Sequence, residues 1–398
     1  MIKAQTDVTR RLLKTGIDVD SLCEVLQNHF LRSSGSSESL GYGDQDSPTI
    51  LIHWTQTGAI KKIVTGKDID AATFAKIESE IDDALRATDI QYRRFPIFSN
   101  RPVKGAIGFE DWFQIIPAPD SVPQPTAGWG DYVAVLEVAV EGSSLSMLVG
   151  NRAFTEAKSV ELLLSGLTLG GFRLQSQFSQ SVWVLDPEMQ GKPRHLQRGF
   201  SSQEMHGTVP SFADIGGMSD IELVSVHGYF DGRSQGSSEH AILPETFPGL
   251  ALKFRTLSKK RKDMFLRAAR WAKHMDDVST LSRSAAYVAA ISAIEALLPS
   301  TNGPATPCAA CGRTKVDGLT QQFANFVDSM VGGAVPYKLR LALYNRRSRI
   351  VHGQLIASDD VSLHHVNPTS LSEMSEQRWL NASTRIVLHN WLVAEMAQ

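Results

Sequence analysis

The spacing of apolar residues changes at Ser258, and that change constrains the fold more than any other feature of the chain. From Ile90 to about residue 250, segments such as I-Q-Y-R-R-F-P-I-F, Y-V-A-V-L-E-V-A-V and S-V-W-V-L-D are rich in β-branched and aromatic residues and bounded by Pro, Gly or Ser. That is the pattern of short strands. After Ser258, a plausible N-cap, the apolar residues recur three and four apart. Phe265, Ala268, Ala269 and Ala272 make one stripe, and Tyr287, Ala290, Ile291, Ile294 and Leu297 make another. Helices are expected near 258–273, 278–298, 319–330, 338–352 and 371–396, enough for a bundle. The expected class is α+β, a mainly β N-terminal module followed by an all-α bundle.

Three parts follow from this pattern. Residues 1–89 form an N-terminal α/β segment, with amphipathic helix in 6–32 and a Ser/Gly-rich linker or loop from Ser33 to Asp46. Strands are expected at 49–54 and 59–64, and a helix from Asp70 to Ala87. Residues 90–250 form a β-rich module, a candidate sensor or regulatory domain. Within it Glu141–Ser144 is expected to separate two strands, the second being S-L-S-M-L-V, ahead of a helix from Ala153 to Leu164. I-E-L-V-S-V-H-G-Y-F (221–230) reads as another strand, and Pro187 to Ser219 as a long loop. Residues 258–398 form the helical part. The β module carries no Walker loop, dinucleotide-binding glycine fingerprint or serine elbow.

Charge divides the same way. From residue 251 onward there are 19 Lys+Arg against 11 Asp+Glu, a balance of +8, which leaves 21 against 31, or −10, for the first 250 residues. The basic half is suited either to a polyanion or to docking on the acidic half. No run approaches the roughly 18 apolar residues needed to span a bilayer, and the first residues lack the apolar stretch of a signal peptide. With three cysteines in 398 residues, no disulfide framework is expected, and a cytoplasmic setting with no membrane partner fits best.

The chemistry concentrates in Tyr344 to Gly353, Y-N-R-R-S-R-I-V-H-G. Gly353 sits where a helix C-terminus wants a residue tolerant of positive φ, so Arg347 and His352 belong to the last turns of one helix. Histidine exchanges protons near neutrality, and arginine carries a permanent positive fork that matches phosphate oxygens. Residues five apart on a helix are displaced by roughly 140°, so Arg347 must reach around to act with His352, whereas Ser348 and Arg349 lie nearer its face. Asn345, seven residues back, falls almost directly beneath His352. The plainer alternative is a histidine that only caps its helix among solvated arginines.

R-S-R-I-V-H-G, together with Y-V-A-A-I-S-A-I-E-A-L-L-P-S (287–300), resembles the signature of HEPN-domain ribonucleases, in particular the Apea-like branch, over about residues 258–398. The resemblance implies RNA cleavage that needs no metal. The 2′-hydroxyl would attack its own phosphate, with His352 as the proton-transfer group and Arg347 stabilising phosphoryl charge. Arg346 also satisfies the signature spacing, and Arg349, Ser348, Asn345 and Glu295 are supporting candidates. The resemblance further implies a homodimer that pools two motifs in one cleft, and a toxin-like or antiphage role triggered by a phage-derived or small-molecule signal at the N-terminal module. The rival reading is a non-catalytic bundle that dimerises or binds nucleic acid beside a ligand-recognising β module.

Two further sets of residues stand out. Lys259, Lys260, Arg261 and Lys262 are candidates for RNA binding, or else a solvated basic face. Cys308-Ala-Ala-Cys311-Gly312 has the spacing of half a zinc knuckle. A structural zinc would need His364, His365 or the same pair of a second protomer, and two free thiols in a loop are the alternative. Cys23 reads as a buried apolar residue.

Overall fold

The structure is a computed structural model. It describes residues 17, 19–43, 48–55, 60–65, 71–86, 89–120, 122, 131–174, 182–185, 193–196, 205, 207–231, 239–279, 281–298, 306–307, 314–315, 318–333, 335–361 and 368–396. The chain is α+β, with its sheets in the N-terminal part and helices filling the C-terminal part.

The first layer comprises α1 (Val19–Gln27), strands β1 (Arg32–Gly35), β2 (Ser39–Gly43), β3 (Pro48–Trp54) and β4 (Ile60–Thr65), and α2 (Ala71–Leu85). The strands pair antiparallel in the order β1-β2-β3-β4. Leu22, Leu26, Tyr42, Ile52 and Ile81 are buried in its core. The linker expected after Ser33 is instead a strand pair, because Leu40 and Tyr42, two apart, both turn into that core.

The second layer is an antiparallel sheet built from β5 (Ile90–Ser99), β6 (Ile107–Phe109), β7 (Phe113–Pro117) and β8 (Tyr132–Glu141). Helix α3 (Ser146–Leu167) follows. After it come β9 (Arg173–Leu174), β10 (Val182–Leu185), β11 (Pro193–Leu196) and β12 (Gly207–Val209). The sheet runs β12-β5-β8-β7-β6, with β9 also on β5, while β10 and β11 pair with each other. Glu137 on β8 is fully buried but satisfied, accepting from Arg94 Nε at 2.5 Å, Gln114 Nε2 at 2.6 Å and the Ala213 N–H at 2.8 Å. A buried carboxylate with this many donors is a tolerable charge.

Two expected strands turn helical, one from its third residue and one in its second half. Ser144–Val149 does not close a hairpin on β8, because from Ser146 it is the first turn of α3. The start of α3 is capped from far away: the Glu24 carboxylate accepts from the Ser146 N–H at 3.0 Å and the Met147 N–H at 2.8 Å. A carboxylate at a helix N-terminus satisfies orphan donors and complements the dipole. The 221–230 segment splits into β13 (Glu222–Val224) and α4 (Val226–Phe230), where the Ser225 hydroxyl accepts from the Gly228 N–H at 3.3 Å.

After β14 (Ile242–Pro244), which pairs parallel with β13, the helical part comprises α5 (Phe247–Thr256), α6 (Lys259–Ser279), α7 (Arg283–Glu295), the two-residue strands β15 (Thr306–Pro307) and β16 (Thr314–Lys315), α8 (Leu319–Val331), α9 (Tyr337–Val351), α10 (Ser358–Val361) and α11 (Pro368–Met396). The change of pattern near 250–258 is not a break in the core. One continuous cluster runs from Ile97, Phe113 and Leu136 on the sheet, through Val160 and Leu164 on α3, to Phe265, Ile291 and Leu388 on the bundle. At Gly166 α3 comes close to the bundle, since a Cβ there would lie 3.0 Å from Ala269 Cβ and 3.2 Å from Leu388 Cδ2. Among the described residues no helix is long and apolar enough to cross a membrane.

Candidate functional site

Helix α9 presents the arginine and histidine positions. Its C-terminus is closed by Gly353 at φ +68°, with the Gly353 N–H donating to Ile350 O at 3.0 Å and the Gln354 N–H to Arg349 O at 2.8 Å. These two bonds form the Schellman pattern, and the left-handed residue it needs is the glycine expected from sequence. His352 is the C-cap, at φ −87° and ψ 8°, and is exposed. Its imidazole makes no hydrogen bond among the described residues.

The two arginines beside it are each set between a ring and a carboxylate. The Arg347 Nη2 donates to Glu295 Oε2 at 3.1 Å, and its Cζ lies 5.9 Å from the Tyr344 ring centre. Burial pushes the Tyr344 hydroxyl pKa up. Its hydrogen bond to Glu295 and that carboxylate's charge add to the rise, while Arg347 works against it. Tyr344 therefore stays a donor, and Glu295 holds both groups. Arg346 pairs with Glu376 on α11 and lies 5.1 Å over the Tyr287 ring. The Tyr287 hydroxyl donates to Leu343 O at 3.3 Å and is raised in pKa chiefly by burial.

Glu295 is thus brought to Arg347, as the sequence allowed. No hydrogen bond or ion pair joins Arg347 to His352 among the described residues. Asn345 and Arg349 are exposed and Ser348 is partly buried, its carbonyl accepting from the His352 N–H at 3.0 Å. Sequence reasoning missed Glu376 and the ring partners. Tyr344 had a readable signal, since it precedes Arg347 by three on the same helix, but Glu376 lies in a distant element with no local cue.

The segment after His352 is fixed by a second carboxylate. Asp360 accepts from the Ser282 hydroxyl at 2.9 Å, the Arg283 N–H at 2.8 Å and the Ser284 N–H at 3.0 Å, capping α7, while the Ala357 N–H donates to Ser284 Oγ at 2.8 Å. Burial alone would raise its pKa, but the hydrogen bonds from Ser284, Ser282 and Arg283 outweigh burial and hold it below the usual carboxylate range. A depressed carboxyl contributes stability above its unfolded value of about 4 and loses it as pH falls through the folded value. Asp360→Asn is therefore expected to lower the urea midpoint near neutrality, with the gap to wild type closing in acid. A gap that stays constant with pH would contradict the assignment.

Of the four cations expected to meet RNA, Arg261 does not offer a free guanidinium. It is paired with Glu395, with Nε 2.9 Å from Oε2, and lies 4.9 Å over the Trp391 ring. Lys262 lies 5.0 Å over Phe254. Lys259 and Lys260 are exposed. Cys308 and Cys311, with His364 and His365, lie outside the described residues; β15 and β16, which flank the cysteine pair in sequence, form an antiparallel ladder. Among the described residues no group of three or more His, Cys, Asp or Glu is placed to hold a metal. Compared with known proteins, the chain significantly matches no family model, no curated protein and no solved structure.

Proposed function

We propose that the protein is a metal-independent endoribonuclease of the HEPN type, acting in the cytoplasm as a homodimer with a toxin-like or antiphage role. The observation that carries the reading is the end of α9, where an exposed histidine and an arginine held by a single hydrogen bond share the last turns of one helix. The Arg347 and Glu295 side chains, 27% and 22% exposed, are joined by one contact at 3.1 Å rather than by a two-pronged fork. A phosphate can compete for that guanidinium. His352 then takes the proton of the 2′-hydroxyl as the 2′-oxygen bonds to phosphorus and the P–O5′ bond breaks, and the departing 5′-oxygen takes a proton from water. Arg347 offsets the charge that grows on the phosphoryl oxygens. The products are a 2′,3′-cyclic phosphate and a 5′-hydroxyl.

One observation favours the rival, non-catalytic bundle: Arg347 and Arg346 are both already paired within the chain. A substrate test separates the two. An RNA with one 2′-deoxy nucleotide at the cut position is expected to resist cleavage there and to remain cleavable elsewhere. Cutting at the deoxy position would rule out attack by the 2′-hydroxyl.

A further inference from the structure

Away from the candidate site's own residues the bundle carries a concave surface. A groove of about 570 Å³ lies where the start of α6 meets the end of α7; Lys259, Lys260 and Arg267 line it, along with Asp263. Its apolar lining is Met264, Ala296 and Leu298. Ala296 directly follows Glu295, the carboxylate that holds Arg347, at the end of α7. Lys259, Lys260 and Arg267 are exposed and make no ion pair among the described residues, whereas the neighbouring Arg261 is committed to Glu395 and Trp391. Three cations against one carboxylate leave a local excess of two positive charges.

We infer that this groove binds a single strand of nucleic acid, with phosphates on Lys259, Lys260 and Arg267 and a base against Met264 and Leu298. A row of uncommitted cations tracks a phosphate backbone without sequence readout, and Met264 and Leu298 offer a base apolar surface in place of an aromatic platform. The volume falls within the range of about 300–1,000 Å³ typical of small-ligand sites, room for a nucleotide or two. Lys262 is not part of it; that side chain lines a different cleft, with Trp112 and Arg255. The contacts assigned to the described lining, phosphate to cation and base to apolar surface, are ones that either kind of strand can make, so the groove accepts DNA as well as RNA. The inference rests on the nuclease reading only for what becomes of the bound strand.

The test is fluorescence anisotropy of a labelled 12-nucleotide strand, RNA or DNA, on full-length His352→Ala protein, so that no cleavage intervenes. RNA and DNA of one sequence are expected to bind within a few-fold of each other. The added substitutions Lys259→Glu, Lys260→Glu and Arg267→Glu should weaken binding by about tenfold or more and flatten the dependence of log Kd on log salt by about 2, at roughly 0.7 per phosphate contact. Glutamine at the same positions should give an intermediate loss with an unchanged melting temperature, and Arg86→Glu, on the N-terminal layer, no loss. Unaltered binding by the triple glutamate variant would overturn the inference, as would competition by polyglutamate as effective as that by the strand. Failure of the nuclease reading is seen separately, as cleavage that survives His352→Ala.

Discussion

The His352→Ala protein is expected to cleave RNA roughly 10²–10⁴-fold more slowly than wild type, the loss typical when a positioned proton-transfer group is removed. The side chain is exposed at a helix C-cap and bonded to nothing else among the described residues, so the substitution should leave the melting temperature nearly unchanged. That combination matters. A histidine that only capped its helix would show the opposite pattern, with a small stability loss and no loss of cleavage. Arg347→Ala should fall the same way in rate, because a lysine-like point charge or a water cannot reproduce a planar fork on two phosphoryl oxygens.

The largest effect on stability is expected at Arg385, far from any candidate chemistry. Its side chain is 1% exposed, yet the guanidinium is fully engaged: Nε donates to Ser165 O at 3.0 Å and to Thr168 O, and the other nitrogens reach Asn381 and Asp276. It closes the carbonyl end of α3, ties α6 to α11, and so joins the sheet layer to the bundle. Arg385→Ala strands the two carbonyls and leaves the Asp276 carboxylate only its bond from Asn381 Nδ2, and breaking such a largely buried pair from one side costs about 3 kcal/mol or more. Urea unfolding should show that loss, and Arg385→Lys should recover little of it, since an ammonium cannot span four acceptors. A change below about 1 kcal/mol would mean that the junction is held by apolar packing alone.

Arg385 also illustrates where sequence reading stops. Elements governed by their own residues were legible: the 3.6-residue stripe of α6, the strands at β3 and β4, and the glycine that ends α9. Elements decided by partners far along the chain were not. Ser144–Val149 looks extended by composition, but from Ser146 it is the first turn of α3, capped by the Glu24 carboxylate more than 120 residues away. Leu40 and Tyr42 are diluted among serines and glycines, so their burial as strand residues is not readable locally. The continuous core from Ile97 to Leu388 is likewise a tertiary fact that a change of period cannot reveal.

The candidate site divides in the same way. Tyr344, Arg347, His352 and Gly353 lie within ten residues and could be read together, and Glu295 was in view from the preceding α7. What the sequence withheld is how each cation is spent. Arg346 and Arg347 look equivalent on paper, but one is paired with Glu376 and the other with Glu295. Among Lys259 to Lys262, side-chain direction around α6 sends Arg261 to Trp391 and leaves Lys259 and Lys260 at the groove.

The most direct test of the central claim is the chemistry of the cut ends. RNA recovered after induced expression of the wild-type protein, and RNA cut by purified protein in the presence of a chelator, should carry new 2′,3′-cyclic phosphate and 5′-hydroxyl termini that are missing with His352→Ala. Ends bearing 5′-phosphate and 3′-hydroxyl, or the same new ends from the His352→Ala protein, would contradict it.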